Sequence, residues 1–403
     1  MAQIIDLCSS MPGVVDRFNK RQQFVLAQIQ NCRTEYMGVN MYQCTNSACR
    51  HAEYRYASCK NRNCSVCSWL PREKWKMQRS NDMIPDTAYY HDVFTIPYEF
   101  SQLAGQNKVE VQSLLFKCVA STLKEFEQTH CKGGKIGFIE FLHTWSTRLL
   151  EHYHIHVIIP GGYLLDGVWH DMSRYMFPAK ALATMFRKKF CSGLRRLYKS
   201  GQLKFYGSLS VLEDPRVWSE FVNRNYNRHW HVHVSVTQGK NPMRLVGYLS
   251  NYVYKTAIDH SRIKRIDEKE VVFKYRSHAE GDRGAWNELS LGPEEFLRRF
   301  ASHIQPKGFT RVRYYGYLGG GVKNERLKQI FKQKGKERIR TNTSIHRSSC
   351  EKIMTECGLS AMLKCPKCGH QMLSLWEIRK QESAHDPPQE DACESIETHS
   401  RCA

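Results

Sequence analysis

The 403-residue chain has no run of about 18 apolar residues, the least that carries a helix across a bilayer, and Met1–Lys20 lacks the apolar stretch of a signal peptide. Those absences exclude a helical membrane protein and lead to the expectation of a cytoplasmic, nucleoid-associated one with no membrane partner. Acidic side chains are scarce beside basic ones, 39 against 60, which leaves a formal charge of +21. Such an excess attracts polyanions, and nucleic acid is the most abundant of these. No spaced Asp/Asp/Glu set stands out in strand and helix contexts, which disfavours catalysis by three carboxylates. What is present is ordinary for a globular chain: 41% hydrophobic and 25% charged residues rule out a wholly disordered or collagen-like protein.

Charge is unevenly spread. From Lys380 to Ala403 there are two basic and six acidic residues, so the rest of the chain carries +25. This polar, proline-containing segment reads as a disordered acidic tail. Lys323–Arg340 has eight basic and two acidic residues. It reads either as a basic helix on a surface that tracks a phosphate backbone or as a solvated linker helix.

The centre of the chain alternates between two periods. Tyr90–Ile96, Lys135–Trp145, Tyr153–Pro160 and His229–Val236 have strand composition, and Lys108–Gln128, Ala179–Tyr198 and Pro242–Ile258 have helical spacing. The order β-α-β-β-α-β followed by a helix predicts an α+β fold with a ferredoxin-like antiparallel sheet. The expected segments are 1–80, a helical lead with a zinc-binding domain; 85–260, the sheet and last helix; 261–345, a basic accessory region; 346–379, a C-terminal zinc knuckle; and 380–403, the tail.

A chain expected in a reducing compartment uses clustered cysteines for metal more often than for disulfides. Cys44, Cys49, Cys59, Cys64 and Cys67 fall within 24 residues. Zinc takes four thiolate or imidazole ligands in a tetrahedron, and two cysteines on a short turn supply two of its corners. The choice of four here is Cys44, Cys49, Cys64 and Cys67, with Cys59 or His51 able to substitute. Arg50, Arg55, Lys60 and Arg62, interleaved with Tyr54 and Tyr56, suit phosphates and stacked bases. Cys365 and Cys368 in CPKCGH read as a second zinc knuckle, whose partners would be Cys350 and Cys357; the alternatives are a partial or decayed remnant, or a mixed site completed by His370.

His154 and His156 are two apart in a predicted strand and therefore share a face, where they can bind one divalent cation. The plain alternative is a polar strand face, and the apolar run Val157–Ile159 argues against it by anchoring the strand in a core. His229, His231 and His233 have the same spacing and form a competing set. In the last helix Val246, Leu249, Val253 and Ala257 fall on one side, and Arg244, Tyr248, Tyr252 and Lys255 on the other. Two phenols one turn apart between cations could seat a phosphate; amphipathic packing is the alternative, and Tyr254 at the boundary serves as a control.

Four features occur in one order: the cysteines from Cys44 to Cys67, HTWSTRLLEHYHIHVIIPGG (His143–Gly162), YLSNYVYKTAI (Tyr248–Ile258) and LSLGPEEFLRRFASHIQPKGFTRVRYYGYL (Leu289–Leu318). With the later CPKCG they resemble the two-tyrosine transposases of the insertion-sequence-91 family, over roughly Tyr42–Met372. That family belongs to the HUH nucleases, named for two histidines flanking a bulky apolar residue. The resemblance implies an HUH nuclease domain preceded by a zinc-binding domain, with His154 and His156 as ligands of catalytic Mg²⁺ or Mn²⁺. It makes Tyr248 and Tyr252 the nucleophiles, giving a covalent 5′-phosphotyrosine and a free 3′-hydroxyl as single-stranded DNA at the ends of a mobile element moves by a rolling-circle route. Arg244 or Lys255 would help to stabilise a phenolate, and these two with Arg62 are the expected DNA contacts. Gln238, Glu151 and His152 are candidates for a third metal ligand. This chain departs from its relatives in having four residues between Cys44 and Cys49, where two are more usual. A rolling-circle replication initiator or relaxase would share the histidines and tyrosine, and a non-catalytic zinc-containing DNA-binding protein would need neither.

Overall fold

Along Tyr153–Ile159 the odd residues are bulky and apolar and the even ones include two histidines, a pattern that obliges a strand to bury one face and reserve the other. A computed structural model of the protein describes residues 1–172, 177–237, 246–248, 250, 253–277, 284–338 and 350–379. These fall into two units, one from Met1–Arg79, Tyr254–Ile304 and residues 350–379, the other from Ser80–Val253 and residues 305–338.

In chain order the first unit starts with α1 (Ala2–Ser9), α2 (Lys20–Gln30), β1 (Gly38–Cys44), β2 (Ala52–Tyr56) and α3 (Trp69–Ser80). The second follows with β3 (Tyr89–Thr95), α4 (Glu99–Gln106), α5 (Lys108–His130), β4 (Lys135–Trp145), β5 (Glu151–Pro160), β6 (Gly162–Leu165), β7 (Val168–Asp171), α6 (Ala179–Lys199), α7 (Pro215–Tyr226) and β8 (Val232–Thr237). The described residues 246–248, 250 and 253 are helical. The first unit resumes with β9 (Ile263–Ile266), β10 (Val271–Arg276), β11 (Trp286–Leu291) and α8 (Pro293–Ser302). Then β12 (Val312–Gly316) and α9 (Lys323–Gln333) return to the second unit, and α10 (Cys350–Glu356) and β13 (Met372–Arg379) to the first.

The ferredoxin-like sheet is present. Its strands run in the order β4-β5-β3-β8, and every neighbouring pair is antiparallel. The free edge of β4 takes β6 at Lys135 and Ile136 and β12 from Gly137 to Phe141. Sequence periodicity does not predict β6, β7 or β12, since four or five residues are too few to establish a period. Gly316 closes β12 in a left-handed conformation (φ +59°), where a Cβ would meet the carbonyl oxygen of Ile136.

One sheet face packs against α5 and α6. Phe94, Phe138, Leu142, Tyr153, Ile155, Val157 and Ile159 are buried there with Phe100, Phe186, Phe190 and Trp230. Gly193 lets the two helices approach, because a Cβ at that position would lie 2.3 Å from Leu114 Cδ1. Burying each large apolar side chain stabilises the fold by about 1.5–3 kcal/mol, so this face fixes the strand register and with it the position of everything on the other face.

In the first unit β13 pairs with β1, and β1 with β2, all antiparallel. The C-terminal knuckle is therefore not a body of its own: its strand is an edge of the N-terminal sheet. The expected 261–345 region is likewise divided, with β9–β11 and α8 in the first unit and α9 in the second. Helix α9 is docked instead of serving as a solvated linker. Leu327, Ile330 and Phe331 are buried, Lys323 and Arg338 pair with Asp82, and Lys334 pairs with Asp171. No described helix is long and apolar enough to cross a membrane.

Candidate active site and thiol clusters

The sheet face opposite α5 and α6 carries the histidines. His154 and His156 alternate with buried Ile155 on β5, and His143 on β4 stands directly across from His154. All three are buried, and each offers one imidazole nitrogen within 4.8 Å of the other two. Three neutral imidazoles on one face can hold one divalent cation and leave further positions open to water or phosphate oxygens. The sequence reading has the pair but not the third member. Of its suggestions, Glu151 and His152 are outside this group, and Gln238 lies outside the described residues. Glu151 has the odd-numbered parity of Tyr153 and Ile155, so the pleat turns it toward the other face.

The competing histidines do not converge. His229 and His231 are exposed ahead of β8, and His233, also exposed, pairs with Val93 at the sheet edge.

A fourth histidine, missed in the sequence, completes the site. His91 on β3 is buried, its Nε2 is 2.8 Å from Nδ1 of His156, and the two rings stack at 5.1 Å. On its other side Nδ1 is 3.2 Å from the Tyr248 hydroxyl, with the tyrosine ring edge-on at 5.8 Å. Burial, and second the charge of nearby His233, push the His91 imidazole down to about 4. It is thus neutral at pH 7, with one nitrogen that donates and one that accepts. Tyr248 is half exposed, so its oxygen is reachable from solvent while hydrogen-bonded from within. Tyr252 and Arg244 lie outside the described residues. The signal for His91 was its place on the first strand, with the odd-numbered parity that a ferredoxin-like register sets beside His156.

Sixteen cysteines include two quartets of free thiols. The first is Cys32, Cys59, Cys64 and Cys67, with sulfur separations of 3.4 Å (Cys32–Cys67), 3.6 Å (Cys59–Cys67) and 3.9 Å (Cys32–Cys64). The second is Cys44, Cys49, Cys365 and Cys368, with 3.4 Å for Cys44–Cys368 and 3.8 Å for Cys49–Cys365. A tetrahedron with zinc–sulfur arms of about 2.3 Å has edges of about 3.8 Å, so both quartets fit zinc. In the first, hydrogen bonds from Cys32, Cys59 and Cys64 hold the Cys67 thiol far below its ordinary range, favouring a thiolate.

The expected single site of Cys44, Cys49, Cys64 and Cys67 is thereby corrected. Its two halves belong to different quartets, because the antiparallel register puts Cys44 opposite Met372 and brings the 365–368 turn alongside. Cys59 is a ligand candidate in its own right, Cys32 is an addition, and Cys357 lies against Glu73 instead of joining the knuckle. His51 is 3.7 Å from Glu53 and outside both quartets.

Two basic and aromatic surfaces lie in the first unit. On β2, Tyr54 and Tyr56 are exposed, and Arg55 lies 4.5 Å over the ring of Tyr42. Arg62, between the cysteines of the first quartet, is exposed as well. Elsewhere Arg276 stacks on exposed Trp286 at 5.2 Å. Desolvation, followed by the like charges of Arg262 and Arg276, lowers the pKa of Lys255.

A thiol-rich module together with a histidine-bearing ferredoxin-like sheet defines a protein with clustered metal-ligating side chains in both units. Residues 7–96 match the family model described as "Transposase zinc-binding domain", and residues 137–326 match the one described as "Putative transposase". The chain is 32% identical over 313 residues to "Putative transposase y4qJ" of Sinorhizobium fredii (strain NBRC 101917 / NGR234), which covers 76% of this chain and 77% of that protein. It is 29% identical over 306 residues to the "Transposase for insertion sequence element IS801" of Pseudomonas savastanoi pv. phaseolicola, covering 74% and 71% of the two. No solved structure matches the chain. The chain belongs to the insertion-sequence-91 family of transposases, enzymes that act on DNA.

Proposed function

We propose that this transposase cuts and rejoins single-stranded DNA at the ends of a mobile element through a 5′-phosphotyrosine, in rolling-circle transposition. The observation that carries the reading is the hydrogen-bonded line from Tyr248 through His91 to His156, on the same sheet face as His143 and His154.

His143, His154 and His156 would hold Mg²⁺ or Mn²⁺, which when bound polarises the scissile phosphate and offsets developing charge. Tyr248 supplies the nucleophilic oxygen: its hydroxyl proton passes to solvent water, an Oη–P bond forms, the P–O3′ bond breaks, and the leaving 3′-oxygen takes up a proton from water. The phosphotyrosine conserves the energy of the broken diester, so the strand can be rejoined without a nucleotide cofactor. Tyr252, four residues along, would be the second nucleophile and allow two successive transfers. Each thiol quartet would hold one structural Zn²⁺. Arg244, Lys255, Arg62 and the exposed tyrosines of β2 would guide the strand by charge and stacking.

The test is to incubate the full chain with labelled single-stranded DNA from its element's ends and Mn²⁺ or Mg²⁺, then to look for covalent adducts on a denaturing gel. Adducts are expected for the unaltered protein and for Tyr254→Phe, and none with EDTA or with Tyr248→Phe and Tyr252→Phe combined. Adducts that persist in the double variant would overturn the reading.

A further inference from the structure

The buried contact between His91 and His156 does more than pack two rings. We infer that His91 is a positioning residue that presents an N–H to the Tyr248 oxygen, in a direction set by how His156 binds metal. This rests on the proposed roles of Tyr248 and the three histidines.

The direction follows from counting protons. A neutral imidazole that ligates through one nitrogen keeps its proton on the other. The nitrogen of His156 that faces His91 is Nδ1, 2.8 Å away, which leaves Nε2 to ligate. His156 Nδ1–H therefore donates to His91 Nε2. A ring nitrogen that accepts carries no proton, so the proton of His91 must be on Nδ1. Nδ1 is the atom 3.2 Å from the Tyr248 hydroxyl, so the N–H donates to the tyrosine oxygen. An acceptor role favours the phenolate over the phenol, which is the form a nucleophile needs.

His91 is suited to this task. It is buried, and it lies on β3 directly beside β5, with register fixed by the core on the opposite face. Thr95, on the same strand face as His91, pairs with His154. That leaves His91 as the β3 side chain that touches both a ligand candidate and a nucleophile candidate among the described residues.

The experiment measures single-turnover adduct formation by full-length protein in two backgrounds: Tyr252→Phe, where only Tyr248 can attack, and Tyr248→Phe, where only Tyr252 can. Adding His91→Ala is expected to slow the first about 10- to 100-fold, the scale of one hydrogen bond to a charged group, and the second less than about threefold. His91→Asn, whose amide can still donate, should recover part of the loss. A readout independent of turnover is the ¹⁵N spectrum of histidine-labelled protein without DNA, in which added Mg²⁺ should place the His91 proton on Nδ1. Equal slowing in both backgrounds, no slowing in either, or an Nε2 proton in the Mg²⁺-loaded protein would overturn the inference. If Tyr252→Phe alone, with His91 intact, forms no adduct, Tyr248 is not a nucleophile; that result overturns the proposed function at Tyr248 and this inference with it.

Discussion

His143 and His154 face each other across β4 and β5, in register, with their rings 5.3 Å apart and edge to face. The relationship makes His143 a candidate third ligand, where a His-x-His pair alone would hold a cation weakly. Replacing it removes one of three donors without touching either thiol quartet. His143→Ala should weaken Mn²⁺ binding at least tenfold by titration calorimetry, on the scale by which lost ligand support lowers metal affinity. Zinc content should be unchanged. Unaltered Mn²⁺ affinity would remove His143 from the site.

The two quartets predict two zinc ions per chain, measurable by native mass spectrometry. Cys32→Ser and Cys365→Ser should each lose one ion, from different quartets, and the double variant both. Cys357→Ser should lose none, since its thiol lies against Glu73. The Cys365 variant should also loosen β1, because the turn holding Cys365 and Cys368 leads into the strand that pairs with it. Hydrogen exchange at Gly38–Cys44 would report this.

Exposed Tyr54 and Tyr56 on β2 are two residues apart and share a face on which successive bases can stack. Stacking is worth about 1–3 kcal/mol per base, so each Tyr→Ala change should lower single-stranded DNA affinity about 5- to 150-fold in fluorescence anisotropy. The slope of affinity against salt should stay the same, because no cation is removed. Arg62→Ala should do the reverse, reducing that slope by about one unit if the side chain contacts a phosphate.

How much of this was legible in the sequence depends on distance along the chain. His154 and His156 could be read because a strand has period two and Ile155 between them had to be buried. The four strands and two long helices of the ferredoxin-like core were readable for the same reason, since each spans several periods. His143 was not, although it is only eleven residues before His154. The register shifts between His143 and Trp145, so counting back from the hairpin puts it out of step. The thiol quartets failed differently. Cys44 and Cys368 are 324 residues apart, and no local pattern records that β13 returns to β1. Cys32 stands alone in sequence, 27 residues ahead of Cys59, and looks like any core thiol until the fold brings them together.

Glu140 yields a prediction about pH. It is on β4, fully buried on the helix-facing side of the sheet, and desolvation pushes its carboxyl well above the ordinary range despite the opposing pull of Tyr315, Arg313 and Lys124. A carboxyl whose pKa is raised on folding binds its proton more tightly in the folded state. Its contribution to stability is thus complete below the unfolded value, near pH 4.3, and is lost as pH rises toward the folded one, by at most about 1.4 kcal/mol per pH unit. Glu140→Gln removes the titration while keeping the shape. Urea unfolding from pH 5 to pH 8 should show the variant gaining on the unaltered protein with each step, whatever the sign of the difference at pH 5. A gap that stays constant across this range would mean that Glu140 is ionised in the fold already at pH 5, held by Arg313 and Lys124 against the cost of burial.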